Sequence, residues 1–246
     1  MNMIESTSPS LSISRDDSTW TFTLNRPDKR NALSGDLIDA LYDGVLLAHA
    51  QQASLLVFRG AGKNFSAGFD FSDLDTQSEG DLVLRMVRIE MLLQEIAASP
   101  CMTIALAHGK NFGAGADIFA VCKRRVATPD ASFRMPGLKF GLVLGTRRFG
   151  ELVGRDNARA ILEETRNFDA SEALRIGFVS ALCASDKWDD AIASALAAAG
   201  VLDEHSRAQL YHALGSRTQS EEMALLVRSA ARPGLKQRVA RYLAAA

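Results

Sequence analysis

Two short segments could carry chemistry: Phe65-Ser66-Ala67-Gly68-Phe69-Asp70, and Gly109-Lys110-Asn111-Phe112-Gly113-Ala114-Gly115-Ala116-Asp117. Each follows an apolar, β-like run, turns through small residues and ends on an acid. Small residues leave backbone N–H groups unscreened, so two such turns side by side can donate two hydrogen bonds to one carbonyl oxygen, as an oxyanion hole does. From about Ala114 onward, AGADIFAVCKRR reads as the opening of a helix. The first N–H groups of a helix lack internal acceptors and carry the positive end of its dipole. Taken alone, a Gly-rich strand-to-helix turn is more often plain chain reversal. Asp117 is the candidate acid–base group, although an acid in a first helical turn is favoured by the dipole whatever its role.

The elements that must position these turns are legible in the periodicity. Residues 10 to 25, SLSISRDDSTWTFTLN, alternate apolar and polar on both sides of a polar turn, which predicts a hairpin. Ser34 is a suitable N-cap for a helix whose Leu37, Ile38, Leu41, Val45 and Leu46 form one stripe. Leu55 to Phe58 reads as a strand entering the first turn, and Met102 to Ala107, apolar nearly throughout, as a strand buried on both faces entering the second. Between them lie a polar loop, FSDLDTQSEGD, and a helix over Leu82 to Ala98. Short strands follow at Val126 to Thr128 and Ala131 to Arg134, then helices over Arg147 to Val153, Arg155 to Glu163 and Ser171 to Ile176. Strands alternating with helices predict an α/β fold, and the Ala/Leu-rich stretch from Asp186 onward predicts a helical C-terminal region.

Composition narrows the class of partner. The chain has 246 residues, 47% of them hydrophobic, and a formal net charge of −1. That suits a substantial core and supplies no basic field for nucleic acid or a membrane surface. No stretch approaches the roughly twenty apolar residues of a membrane span, and the polar N-terminus lacks the order of a secretory signal. Cys101, Cys122 and Cys183 show neither paired nor zinc-like spacing, so they are expected to be buried thiols in a reducing, cytoplasmic compartment, with no metal.

The two turns and their neighbours resemble the crotonase (enoyl-CoA hydratase/isomerase) superfamily. The match is carried by Leu24-Asn25-Arg26-Pro27-Asp28-Lys29-Arg30-Asn31-Ala32-Leu33, by Phe65 to Asp70, by Ala107 to Asp117, and by Ala170 to Val179, ASEALRIGFV. The resemblance implies a ββα spiral core over residues 1–185 with an acyl-CoA site, and a helical region over residues 186–246 serving oligomerisation and site cover. It also implies a homo-oligomer, trimer or hexamer, and a substrate that is an acyl-coenzyme A thioester, with no cofactor beyond the coenzyme A of the substrate. By the same resemblance, the N–H groups of Phe69 and Ala114 would hold the thioester carbonyl, Lys29 and Arg30 would approach coenzyme A, and backbone around Ala67 and Asp70 would line the adenine pocket. Lys236 would contact phosphate.

The pattern departs from the family at both catalytic acids. Hydratases of this group use two glutamates, and here Asp117 stands at the first position and Gly137 at the second. One acid must take a proton from water while the other assists protonation of the substrate, so standard two-glutamate hydration is not expected. The same glycine stands where several enoyl-CoA isomerases carry their base. The resemblance therefore implies an enolate-stabilising lyase or isomerase. The alternatives are acyl-CoA decarboxylation, thioester hydrolysis, or acyl-CoA binding without turnover. Arg134, Arg147 and Arg148 lie near the missing acid and are either site cations or surface charges. His108 is expected to pack or cap. Asp73, Asp75, Glu79 and Asp81 belong to the polar segment, and Phe65, Phe69, Phe71 and Phe112 are candidates for core or acyl pocket.

Overall fold

Alternation decides the first strands: Trp20, Phe22 and Leu24 are buried, while the threonines between them are half-buried. In the computed structural model, which describes residues 2–4, 6–215 and 218–245, this alternation builds the expected hairpin. Met1 and Glu5 of the polar N-terminus, and Ser216, Arg217 and Ala246 of the C-terminal region, lie outside the described residues. The chain runs β1 (Asn2–Ile4), β2 (Leu11–Asp16), β3 (Thr19–Leu24), α1 (Gly35–Ala50), β4 (Leu55–Gly60), α2 (Glu79–Ala97), β5 (Met102–Ala107), β6 (Lys110–Phe112), α3 (Ala114–Val121), β7 (Arg124–Ala127) and β8 (Ser132–Arg134). It continues with α4 (Thr146–Val153), α5 (Arg155–Leu162), β9 (Phe168–Asp169), α6 (Ala170–Arg175), β10 (Ala181–Leu182), α7 (Trp188–Ala199), α8 (Glu204–Leu214), α9 (Gln219–Ala230) and α10 (Leu235–Ala244).

Among the described residues, seven strands form one sheet in the order β1-β2-β3-β4-β5-β7-β10, antiparallel through β3 and parallel beyond it. A small second sheet holds β6, β8 and β9. The core includes rings from the second sheet, the helices around it and the turn after α6: Phe119, Phe133, Phe149, Phe168 and Phe178 meet with centroids 5.2 to 5.8 Å apart. The stripe of α1 closes one side of the main sheet with Leu37, Leu41 and Val45. On the other, Ala195 and Ala199 of α7 meet Leu55, Val57, Ile104 and Leu106.

Several boundaries differ from the sequence reading by one or two residues, and two differ for an identifiable physical reason. Helix α2 begins at Glu79, not Leu82, because Ser78 closes a capping box: its hydroxyl accepts from Asp81 N–H at 3.1 Å, and the Asp81 carboxylate accepts from Ser78 N–H at 2.9 Å. Glu79 and Asp81 thus belong to a helical first turn and not to a loop. Helix α3 stops at Val121, since Arg124 and the residues after it are drawn into pairing with β5.

The turn between β3 and α1 is tied to the stretch leading into the first Gly-rich segment by one buried side chain. Asn31 Oδ1 accepts from Arg26 N–H at 2.8 Å, and its amide donates to the carbonyls of Ala61 and Asn64, each at 2.8 Å. Asn31→Ala should therefore lower the unfolding free energy by about 3 kcal/mol, roughly 1 kcal/mol for each of three lost hydrogen bonds. Denaturant titration measures this, and a loss below about 1 kcal/mol would show that other contacts hold the turn.

Candidate active site

The two Gly-rich turns lie side by side because their backbones bond to each other. Phe65 N–H donates to His108 O at 3.0 Å and Phe112 N–H to Ser66 O at 2.9 Å. The first turn is also fixed to the Arg30–Leu33 segment: Ala67 N–H donates to Arg30 O, Leu33 N–H to Gly68 O and Asp70 N–H to Leu33 O. Phe69 N–H falls between the last two bonds and, among the described residues, donates to no backbone acceptor. Ala114 opens α3, so its N–H has no acceptor within that helix. Gly68 permits the approach. It has φ +86°, and a Cβ there would stand 2.4 Å from Phe112 O and 3.3 Å from Ala114 N.

Phe69 and Ala114 line one cavity of about 820 Å³, together with Lys29, Arg30, Ala67, Asp70 and Asp117. Lys29 and Arg30 are exposed at its rim. The Asp70 side chain is engaged: Arg26 holds it at 2.7 Å and Ser72 N–H donates to it at 3.0 Å. Burial opposes ionisation there, but those hydrogen bonds prevail and hold the Asp70 carboxyl below the usual range. The apolar wall comes from Phe71, Phe112, Leu142, Leu144 and, from α10, Tyr242. Phe65 belongs to the core, fully buried and away from the cavity.

Asp117 is 3% exposed, and its Oδ1 is buried without a hydrogen-bond partner. Gly145, at φ +64°, packs so closely that a Cβ there would lie 1.8 Å from that oxygen. Burial pushes the Asp117 carboxyl well above the usual range; Arg148 opposes this, while Glu90 and Glu222 reinforce it. Arg148 is itself buried and is gripped by both glutamates, bidentately by Glu90 and at 2.6 Å by Glu222. Sequence reasoning missed these two acids. Glu90 was detectable, since it falls in the apolar stripe of α2 among Met86, Ile89 and Leu93. Nothing local marked Glu222, which reaches Arg148 from α9, 74 positions along the chain from it.

The remaining candidates separate by position. Arg134 lines the cavity and donates through Nε to Thr165 O at 2.9 Å. Arg147 is exposed and paired with Glu151 and Glu221. His108 packs edge-on against Trp188, with Nε2 2.9 Å from Gly62 O. Lys236 Nζ donates to the carbonyls of Asp75 and Gln77, so it fastens the polar loop to α10 and stands outside the cavity lining. Asp73, Asp75, Glu79 and Asp81 also stand outside that lining. Gly137 does line the cavity, and a Cβ there would meet Leu142 O at 3.1 Å. No second carboxylate stands at that position.

Comparison with known proteins bears on the fold. The family model for enoyl-CoA hydratase/isomerase matches residues 15–230. A solved structure from Bordetella parapertussis that carries the enoyl-CoA hydratase/isomerase designation superposes with a TM-score of 0.95 at 60% identity, over 96% of this chain and 99% of that one. "Probable enoyl-CoA hydratase echA6" of Mycobacterium tuberculosis is 32% identical over 173 residues, 69% of each chain. Ethylmalonyl-CoA decarboxylase of Homo sapiens is 30% identical over 171 residues, 67% of this chain and 55% of that protein. The fold is therefore the α/β crotonase fold.

The buried Asp117 has a consequence for stability. Its folded pKa lies above the unfolded value, so the native state binds the proton more tightly and this group's contribution falls as pH rises from the unfolded pKa through the folded one. Asp117→Asn should accordingly melt at a higher temperature than wild type at neutral pH, with the gap closing as pH falls toward 4. Thermal melts across that range test the sign; a gap that widens on acidification would show Asp117 to be buried as the carboxylate.

Proposed function

We propose that this chain, which belongs to the enoyl-CoA hydratase/isomerase family, binds an acyl-coenzyme A thioester and forms its enolate, to which Asp117 delivers one proton. The thioester oxygen sits between the N–H groups of Phe69 and Ala114, which stabilise the charge that develops on it. Losing one such donor typically costs a hundred- to a thousandfold in rate. Lys29 and Arg30 offset the coenzyme A phosphates at the rim, and backbone near Ala67 and Asp70 contacts the adenine.

The observation that carries the reading is Asp117 itself. Its carboxyl lies beside the paired turns, dry and biased toward the protonated form, with no second acid at Gly137. That equipment suits a proton donor better than the water-activating pair of a hydratase. A reaction that needs one proton is decarboxylation of a malonyl-type thioester. The α-carboxylate leaves as carbon dioxide, its bonding pair becomes the enolate, and Asp117 protonates the α carbon before solvent restores its proton. The relatedness to ethylmalonyl-CoA decarboxylase supports this choice. A closed homo-oligomer, trimer or hexamer, and a cytoplasmic location complete the proposal.

The experiment pairs binding with a substrate panel. Millimolar coenzyme A or acyl-CoA should raise the melting temperature, since ligand at 100 times Kd stabilises by about 2.7 kcal/mol. Malonyl-type esters should be consumed in preference to crotonyl-CoA and aryl esters, and Asp117→Asn should reduce that turnover by about a hundredfold or more while keeping the ligand-induced shift. No thermal shift would overturn the reading. Binding without turnover of any ester would replace it with a non-catalytic acyl-CoA binder.

A further inference from the structure

The wall that keeps Asp117 dry is held from a distance. It consists of the Gly145–Thr146 turn at the start of α4, and Leu144 and Thr146 on either side of Gly145 line the cavity. Among the described residues, three polar contacts from α9 reach this segment, and one of them, Arg147 with Glu221, is exposed. Ser229 Oγ accepts from Val143 N–H at 2.9 Å, and Glu222 Oε2 meets Arg148 at 2.6 Å. Glu90 of α2 meets the same guanidinium through Nη1 and through the Nη2 that Glu222 also holds, and Gln94 links Glu90 to the start of α9 by donating to Glu90 Oε1 and to Gln219 O. Glu222 is 9% exposed, and its second carboxylate oxygen, Oε1, is buried without a partner. A buried arginine between two acids is an expensive arrangement for stability alone, since well-packed apolar residues often serve as well.

We propose that Glu222 is a positioning residue: through Arg148 it seats the Gly145–Thr146 turn against Asp117, and so couples the seating of the C-terminal helices to the proton carried by the reacting acid. This rests on the assignment of Asp117 as proton donor. The charged groups around Asp117 of α3 are Arg148 on α4, Glu90 on α2 and Glu222 on α9, while Arg147 and Glu151 of α4 act on Glu222 from the exposed side. Removing the Glu222 charge acts on Asp117 in one direction by two routes. It takes away a like charge and frees Arg148 to favour the carboxylate, and a slackened turn admits water. Both lower the pH at which Asp117 loses its proton. Arg147 of α4 and its partner Glu221 of α9 are exposed and serve as the control.

The test needs no substrate. The protonated-carboxyl stretch of Asp117 is followed by infrared titration, assigned in each background as the difference against the same protein carrying Asp117→Asn. Glu222→Gln should move the midpoint of that band down by about one pH unit, and Glu221→Gln should leave it in place. An unchanged midpoint in a Glu222→Gln protein that melts cooperatively overturns the proposal. If Glu222→Gln does not fold, Glu222→Asp keeps the charge but shortens its reach; a lowered midpoint then supports the proposal and an unchanged one overturns it. The band reports on Asp117 whether or not any thioester is turned over, so failure of the proposed reaction and failure of the coupling are read separately.

Discussion

Everything at the site depends on one close approach: the Cα of Gly68 lies against the carbonyl of Phe112 with no room for a side chain between them. This contact, with the bond from Phe112 N–H to Ser66 O, sets two amide donors from separate crossovers of the same sheet on one cavity. Neither turn makes the arrangement alone. Each is fed by a parallel strand, β4 or β5, and those strands are neighbours in full register, so the turns leave the sheet at the same level. The rigid scaffold places backbone groups more accurately than flexible side chains could.

The second constraint is dryness. Asp117 is surrounded by the small residues of α3, by Gly145, and beyond them by Arg148 with its two glutamates. In such a place a carboxyl keeps its proton because the charged form loses its hydration. The cover is built late in the chain: α9 and α10 pack on α2 and on the short 3-10 turn over Gly137–Phe140, with Phe140 against Tyr242. The candidate site is thus finished by residues more than a hundred positions after the two Gly-rich turns.

Much of this was legible beforehand, for identifiable reasons. The hairpin, α1, β4 and β5 each carry a strong local period, and β5 spans the residues read for it because a strand buried on both faces is apolar at every position. The start of α2 was misplaced because Glu79, Gly80 and Asp81 look like loop until the Ser78 capping box is recognised. The short strands β6 and β9 carry too few residues to show a period, and they exist because β8 lies between them.

The amino-acid sequence by itself determined the two small-residue turns, the acid that follows the second, the missing acid at Gly137 and the strands leading in, since all of these are local patterns of residue type. Only tertiary structure decided that Asp117 is dry, that Arg148 and not Arg147 is buried beside it, and that Glu90 and Glu222 complete the cluster. The physical reason is that local period reports which face of an element is apolar. The free energy of a charge depends on what distant segments place around it, and that is set when α2, α4 and α9 close on one another.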